Sequence, residues 1–119
     1  MAYVDGFVIP IPKKNIAAYK KIARAACKVW MELGAVEYRE AIGEDLAAGF
    51  GMPFPRLCSC KKNETVVFSW IVYKSKAHRD AVNAKVMRDP RIAKMMNPKK
   101  PPFDMKRLAY GGFDIVVSS

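Results

Sequence analysis

The hydrophobic period of this chain changes along its length, and each change marks an element. From Val66 to Tyr73, VVFSWIVY, apolar and aromatic residues run almost without interruption, the pattern of a strand covered on both faces. Ser75 follows as an N-cap, and the residues after it are helix formers. Tyr3 to Ile9 alternates and stops at Pro10 and Pro12, which cannot donate to a ladder, so it predicts the first strand. Lys13 to Leu33 carries the clearest helical period. Ile16, Tyr19, Ile22, Ala23, Ala26, Val29, Trp30 and Leu33 share one arc, and Lys13, Lys14, Lys20, Lys21, Arg24 and Lys28 fall opposite. Pro12 suits its first turn and Gly34 its C-cap.

Ala35 to Ile42 predicts a second strand, polar enough through Glu37, Arg39 and Glu40 to lie at a sheet edge. Gly43 to Asn63, with Gly49, Gly51, Pro53 and Pro55, reads as loop with a short strand near Leu57 to Lys61. Asp89-Pro90 ends the second helix near Arg88 and opens a short helix carrying Ile92 to Met96. Asn97 to Asp104 is an irregular connection, and Leu108 to Val117 is the last strand, bent or bulged at Gly111-Gly112.

The resulting order, βαββαβ, belongs to the α+β class. With right-handed crossovers it predicts a ferredoxin-like sandwich, an antiparallel sheet with both helices on one face, as a single domain over residues 1–119. The third strand is apolar on both faces, whereas the helices cover only one. An open apolar sheet would be adhesive, so a second copy of the same sheet is the expected cover and a homodimer the expected assembly.

Composition adds bounds. The chain is long enough to bury a core without staples, and no apolar run reaches the ~20 residues of a membrane span. MAYVDGFVIP has no basic region followed by a long apolar one, so it does not read as a signal peptide. Three cysteines, an odd number, suggest reduced thiols and a cytoplasmic protein with no membrane association. A net charge of +10 fits a polyanionic partner and equally a soluble basic protein, so charge alone does not choose.

The segments AYVDGFVIPIPKK, GAVEYREAI, ETVVFSWIVYKSKAHRDAVNAKVMRDPR and MNPKKPPFDMKRLAYGGF together resemble the YbaA-like family of small bacterial proteins of unknown function, over nearly the whole chain. That resemblance implies the dimeric α/β-barrel superfamily, in which two ferredoxin-like sheets close into a barrel. It carries no activity with it.

Candidate chemistry is sparse, no cofactor is called for, and whether the protein is an enzyme stays open at this level. Cys58-Ser59-Cys60 has the look of a redox pair or half a metal site, but four ligands at wider spacing are the rule for structural zinc, and free thiols are the simpler reading. His78 is the single histidine, in the first turn of the second helix on an arc with Ala81, Val82 and Val86. A helix N-terminus disfavours its protonation, so it is a candidate base, or else a packed histidine bonded to nearby backbone.

Asp5 shares a strand face with Tyr3 and Phe7, where solvation does not explain a charge; a buried carboxylate is paired or has a raised pKa. It is either a ligand anchor or general base inside the barrel, or half of a salt bridge across the dimer with Arg39 or Arg107. Trp70 and Tyr110 are candidate lining residues of a ligand cavity between the sheets, with Arg39 and Arg107 beside them. Two readings follow. The first is a homodimer that binds or transforms a small organic molecule, with Asp5 and His78 as catalytic candidates. The second, suggested by Phe68 and Trp70 on one face of the same βαββαβ order and by the lysine stripe, is a nucleic-acid-binding module. A non-catalytic interaction protein is a third.

Overall fold

The computed structural model describes residues 1–47, 49–95 and 99–119. β1 (Tyr3–Pro12) runs through a 3-10 turn (Lys13–Asn15) into α1 (Ile16–Glu32). β2 (Glu37–Ile42), the short α2 (Phe54–Leu57), β3 (Glu64–Tyr73), α3 (Lys76–Met87) and α4 (Pro90–Met95) follow, then a second 3-10 turn (Met105–Arg107) and β4 (Ala109–Asp114). The strands form one sheet in the order β2-β3-β1-β4, with every neighbouring pair antiparallel. Setting the short helices aside, this is the expected ferredoxin-like βαββαβ arrangement.

Capping follows the sequence closely. The Ser75 hydroxyl accepts from the backbone N–H of His78 at 3.0 Å and starts α3. Asp89 precedes Pro90 at the start of α4. Gly34 turns the chain after α1 at φ 119°, a conformation that side chains resist.

Register decides what each strand shows to which side. Asp5 lies opposite Ile71 on β3 and Gly112 on β4, whereas Trp70 lies opposite Gly6. Successive residues alternate across a sheet, so the odd positions of β1 and β3 face the helices together with Tyr38, Glu40 and Ile42 of β2. Ile9, Ile11, Val67, Ile71 and Tyr73 are buried there beneath Tyr19, Ala23 and Val29 of α1 and Val82 and Val86 of α3. The lysine arc of α1 points away into solvent.

Four local expectations change. Pro10 and Pro12 do not end the first strand: β4 reaches only as far as Val8, so beyond it β1 has a free edge, and a missing N–H on that side breaks no ladder. Gly111 and Gly112 make no bulge, because pairing with β1 runs one to one from Tyr3↔Asp114 to Val8↔Ala109. The lack of a side chain at Gly112 instead admits an aromatic ring. A Cβ at Gly112 would overlap the Tyr3 ring, and the Phe113 ring lies within 3.6 Å of where Cβ atoms of the paired Gly6 and Gly111 would be. The expected strand at Leu57 to Lys61 is absent, and the preceding residues form α2, with Pro55 in its first turn. Met96, the expected end of the short helix, and Asn97, the expected start of the connection after it, lie outside the described residues.

Among the described residues, neither α1 nor α3 lies over the second face. Phe68 and Phe113 are 43 % and 60 % exposed there, beside the half-buried Val4, Val8, Trp70 and Val72. Among the described residues its cover is local: Phe54 of α2 packs on Phe68 at 5.8 Å, at the end of the face where Val66 is buried.

Candidate functional site

One row of the register crosses the helix-side face from edge to edge: Glu40 on β2, Ser69 on β3, Phe7 on β1 and Tyr110 on β4. These four side chains belong to the floor of an open cavity of about 390 Å³ between sheet and helices. Three strand spacings separate its ends, roughly 14 Å. The roof is α1, through Tyr19, Ala23, Ala26 and Trp30, and α3, through Asn83 and Met87. Small residues on the buried arc of α1 leave the volume that larger ones would fill. Met87, Met105 and Tyr110 line the cavity and are themselves exposed, which marks its mouth between α3 and the segment leading into β4.

The β4 end is built around Asp5, which is 1 % exposed. Arg79 Nη1 donates to Asp5 Oδ1 at 2.6 Å and to the Tyr110 hydroxyl at 2.9 Å. Its Nε donates to Asp80 at 2.7 Å, and its guanidinium sits 4.9 Å from the centre of the Tyr3 ring. Because Gly112 has no side chain, Tyr3 has room to lie against β4. Burial, then the charge of Asp5, pushes the Tyr110 hydroxyl above its ordinary pKa. This end is a closed ion pair.

The β2 end is different. Glu40 Oε1 accepts from the Tyr19 hydroxyl at 2.7 Å and Oε2 from the Tyr38 hydroxyl at 2.8 Å. Burial first, and then the charge of Glu40 and its hydrogen bonds, hold both tyrosines far above the usual range, so they remain donors. Asn83 links the roof: its Oδ1 accepts from Trp30 Nε1 and from the Tyr73 hydroxyl, each at 3.2 Å.

The predicted site residues therefore separate into groups. Asp5 and Tyr110 share the cavity and meet through Arg79. Asp5 faces the helices and not a barrel interior, and its partner is Arg79 rather than Arg39 or Arg107. Trp70 belongs to the opposite face, where its Nε1 donates to Glu37 Oε2 at 2.7 Å, so it does not line the cavity beside Asp5. Arg39 is on that same outer face, exposed and 3.8 Å from Glu37. Arg107 grips Glu64 through two nitrogens at 2.7 and 2.9 Å and donates to the Ser59 carbonyl at 2.8 Å.

His78 is half-buried, edge-on to Tyr73 at 6.0 Å, and its Nδ1 accepts from Lys74 N–H at 2.9 Å. It is not among the residues lining the cavity. Among the described residues, no group of three or more His, Cys, Asp or Glu is placed to hold a metal ion, and no helix is long and apolar enough to cross a membrane. The aromatic pair Phe68 and Trp70, 5.4 Å apart, and the lysine stripe of α1 lie on opposite sides of the molecule, so one nucleic-acid strand would not meet both in a single short track.

Sequence reasoning missed Arg79, Glu40 and Asn83. Glu40 had a signal: in EYREAI it has the parity of Tyr38 and Ile42, the two apolar residues that turn inward, rather than that of Glu37 and Arg39. Arg79 had none, because its partner is 74 residues away.

The family described as a protein of unknown function, DUF1428, matches residues 2–105. The chain is 41 % identical over 117 residues to the uncharacterized protein YbaA of Escherichia coli strain K12, covering 98 % of both chains. It is similar to the same degree to its counterpart in Shigella flexneri. Among solved structures, an uncharacterized NIPSNAP domain protein from Burkholderia xenovorans aligns with a TM-score of 0.61 at 15 % identity, over 96 % of this chain and 94 % of that one. A dimeric ferredoxin-like protein of unknown function from Jannaschia sp. CCS1 aligns with a TM-score of 0.61 at 12 % identity, over 95 % and 99 %. At those identities the structural likeness speaks for the fold alone. With the family match spanning most of its length and a relative this similar end to end, the chain belongs to the DUF1428 family of ferredoxin-like proteins.

Proposed function

We propose that this protein is a cytoplasmic homodimer in which each protomer holds a small organic molecule in the cavity between α1, α3 and the sheet. The observation that carries the reading is the cavity itself. Its volume of about 390 Å³ lies at the small end of ligand sites, which run from roughly 300 to 1,000 Å³ and combine apolar walls with a few placed polar groups. Phe7, Trp30 and Phe103 supply such walls, and Glu40 and Asn83 such groups. The dimer is supported by the uncovered aromatic face and by structural relatives described as dimeric. The compartment is supported by three free cysteines.

Methionine methyl NMR tests the cavity directly. Met87 and Met105 border it, whereas Met31 and Met52 lie elsewhere and serve as controls. Titration with 2-phenylethanol is expected to shift the Met87 and Met105 signals, and Ala26→Phe, which fills the roof, is expected to abolish the shifts. Shifts at Met52 alone, or none at all, would end this reading.

A further inference from the structure

We infer that the β2 end of the cavity is a subsite for an organic ammonium group, so that the ligand class is small amines with an aromatic or apolar body. The inference rests on reading the cavity as a ligand site and adds which chemistry it selects.

It begins from how the two cavity carboxylates are satisfied. Asp5 has a guanidinium against it. Glu40 has only two phenolic hydroxyls, and among the described residues no Lys, Arg or His nitrogen comes within 4.0 Å of it. The chain carries 21 Lys and Arg against 11 Asp and Glu, so cations are in excess. Lys20 and Arg24 border an outer cleft between α1 and β2 that Glu40 also touches, yet both remain exposed and form no ion pair with it.

Hydroxyls satisfy hydrogen-bonding capacity without cancelling charge. Each carboxylate oxygen accepts from one tyrosine, and an ionised carboxylate has about four acceptor positions, so acceptor capacity remains. A half-buried negative charge left in this state attracts a cation strongly, because the low-dielectric walls screen it poorly.

The walls agree with that charge. Tyr38 and Trp30 are tilted towards each other at 6.2 Å between ring centres, and Tyr19 meets Phe103 edge-on at 5.7 Å. A carboxylate in an aromatic-lined cavity is a setting in which an alkylammonium can gain both charge pairing and ring contact. The opposite end of the cavity offers a neutralised pair and supplies no comparable preference. An amine would therefore seat its nitrogen at Glu40 and lay its body along Phe7 and Ile71 towards the mouth.

Three probes of one shape separate the inference from the reading beneath it: 2-phenylethylamine, which is cationic at neutral pH, the neutral 2-phenylethanol, and the anionic phenylacetate. Titrated into the full-length protein and followed at the Met87 and Met105 methyls, the amine is expected to bind at least about tenfold more tightly than the alcohol, with phenylacetate weakest. Glu40→Gln retains an acceptor for a tyrosine and is expected to remove the amine's preference over the alcohol. If wild type binds the alcohol as tightly as the amine, or if Glu40→Gln keeps the preference, the ammonium subsite is overturned and the cavity reading survives. If none of the three binds, both fall.

Discussion

On its helix-covered side the sheet buries charge; on its open side it exposes aromatic rings. The two sides are made by alternate residues of the same strands, so the contrast cannot come from local backbone preference. It comes from what each side packs against. The covered side has helices that deliver specific partners, Arg79 to Asp5 and Tyr19 to Glu40, and polar groups are tolerable there because each is satisfied. The open side carries the aromatic rings of Trp70, Phe68 and Phe113 among half-buried valines, with an ion pair of Glu37 and Arg39 at its β2 edge. Apart from Phe54, the described residues of the protomer leave this apolar surface uncovered, which is the surface the proposed dimer would bury.

The sharpest way to break the contrast is to place charge on the open side. In the proposed dimer, Phe68→Asp sets two carboxylates into an apolar interface and is expected to raise the dimer dissociation constant by roughly a thousandfold. Light scattering should then fall from twice the 13.4 kDa chain mass to once that mass, with secondary structure unchanged. A wild-type protein that is already monomeric at high concentration would remove the dimer altogether.

The covered side answers to the opposite manipulation, removal of a charge. Asp5→Asn leaves Arg79, whose side chain is 13 % exposed, with its buried partner gone. The expected loss is about 3 kcal/mol, the lower part of the range for breaking a buried pair, because Asp80 and Tyr110 still hold the guanidinium. Urea unfolding measures it, and oligomeric state should not change. A variant as stable as wild type would show that Asp5 adds nothing to the fold and return it to consideration as a reactive group.

The smallest effect concerns the clamp that joins the start of β3 to the turn before β4. The hydrogen bond from Arg107 lowers the Glu64 pKa from 4.5 to about 2, against the opposing pull of burial. A depressed carboxylate stabilises the fold fully above its unfolded value and loses that contribution as pH falls through the folded one. Wild type is therefore expected to exceed Arg107→Gln in stability at neutral pH, with the gap narrowing as pH falls from 4.5 towards 2. A gap that stays constant over that interval would assign the clamp's effect to the Ser59 carbonyl contact instead.

Much of this architecture can be read from periodicity. The apolar run before Ser75 does become β3, the hydroxyl does cap α3, and the apolar arc of α1 does turn to the sheet. Parity within a strand was equally readable, which is why Tyr3, Asp5 and Phe7 were correctly placed on one face. Parity between strands was not. Grouping Trp70 with Asp5 required knowing that Asp5 pairs with Ile71, and register is set by tertiary packing. The proline rule failed at Pro10 for a related reason, since whether a missing N–H matters depends on where the neighbouring strand stops. Long-range partners are the least legible: nothing near Asp5 in sequence points to Arg79, 74 residues away.

The three glycines of the β1–β4 pair make this the thinnest part of the wall between the two sides. Tyr3 occupies the space at Gly112 on one surface, and Phe113 covers Gly6 and Gly111 on the other. A Cβ added at Gly112 would displace the ring beneath Arg79, whereas one at Gly111 would meet Phe113 on the outer face at an ordinary contact distance of 3.5 Å. The strand pair thus treats its two surfaces unequally, the helix-covered side resisting even a methyl at Gly112 and the outer side having room for one at Gly111.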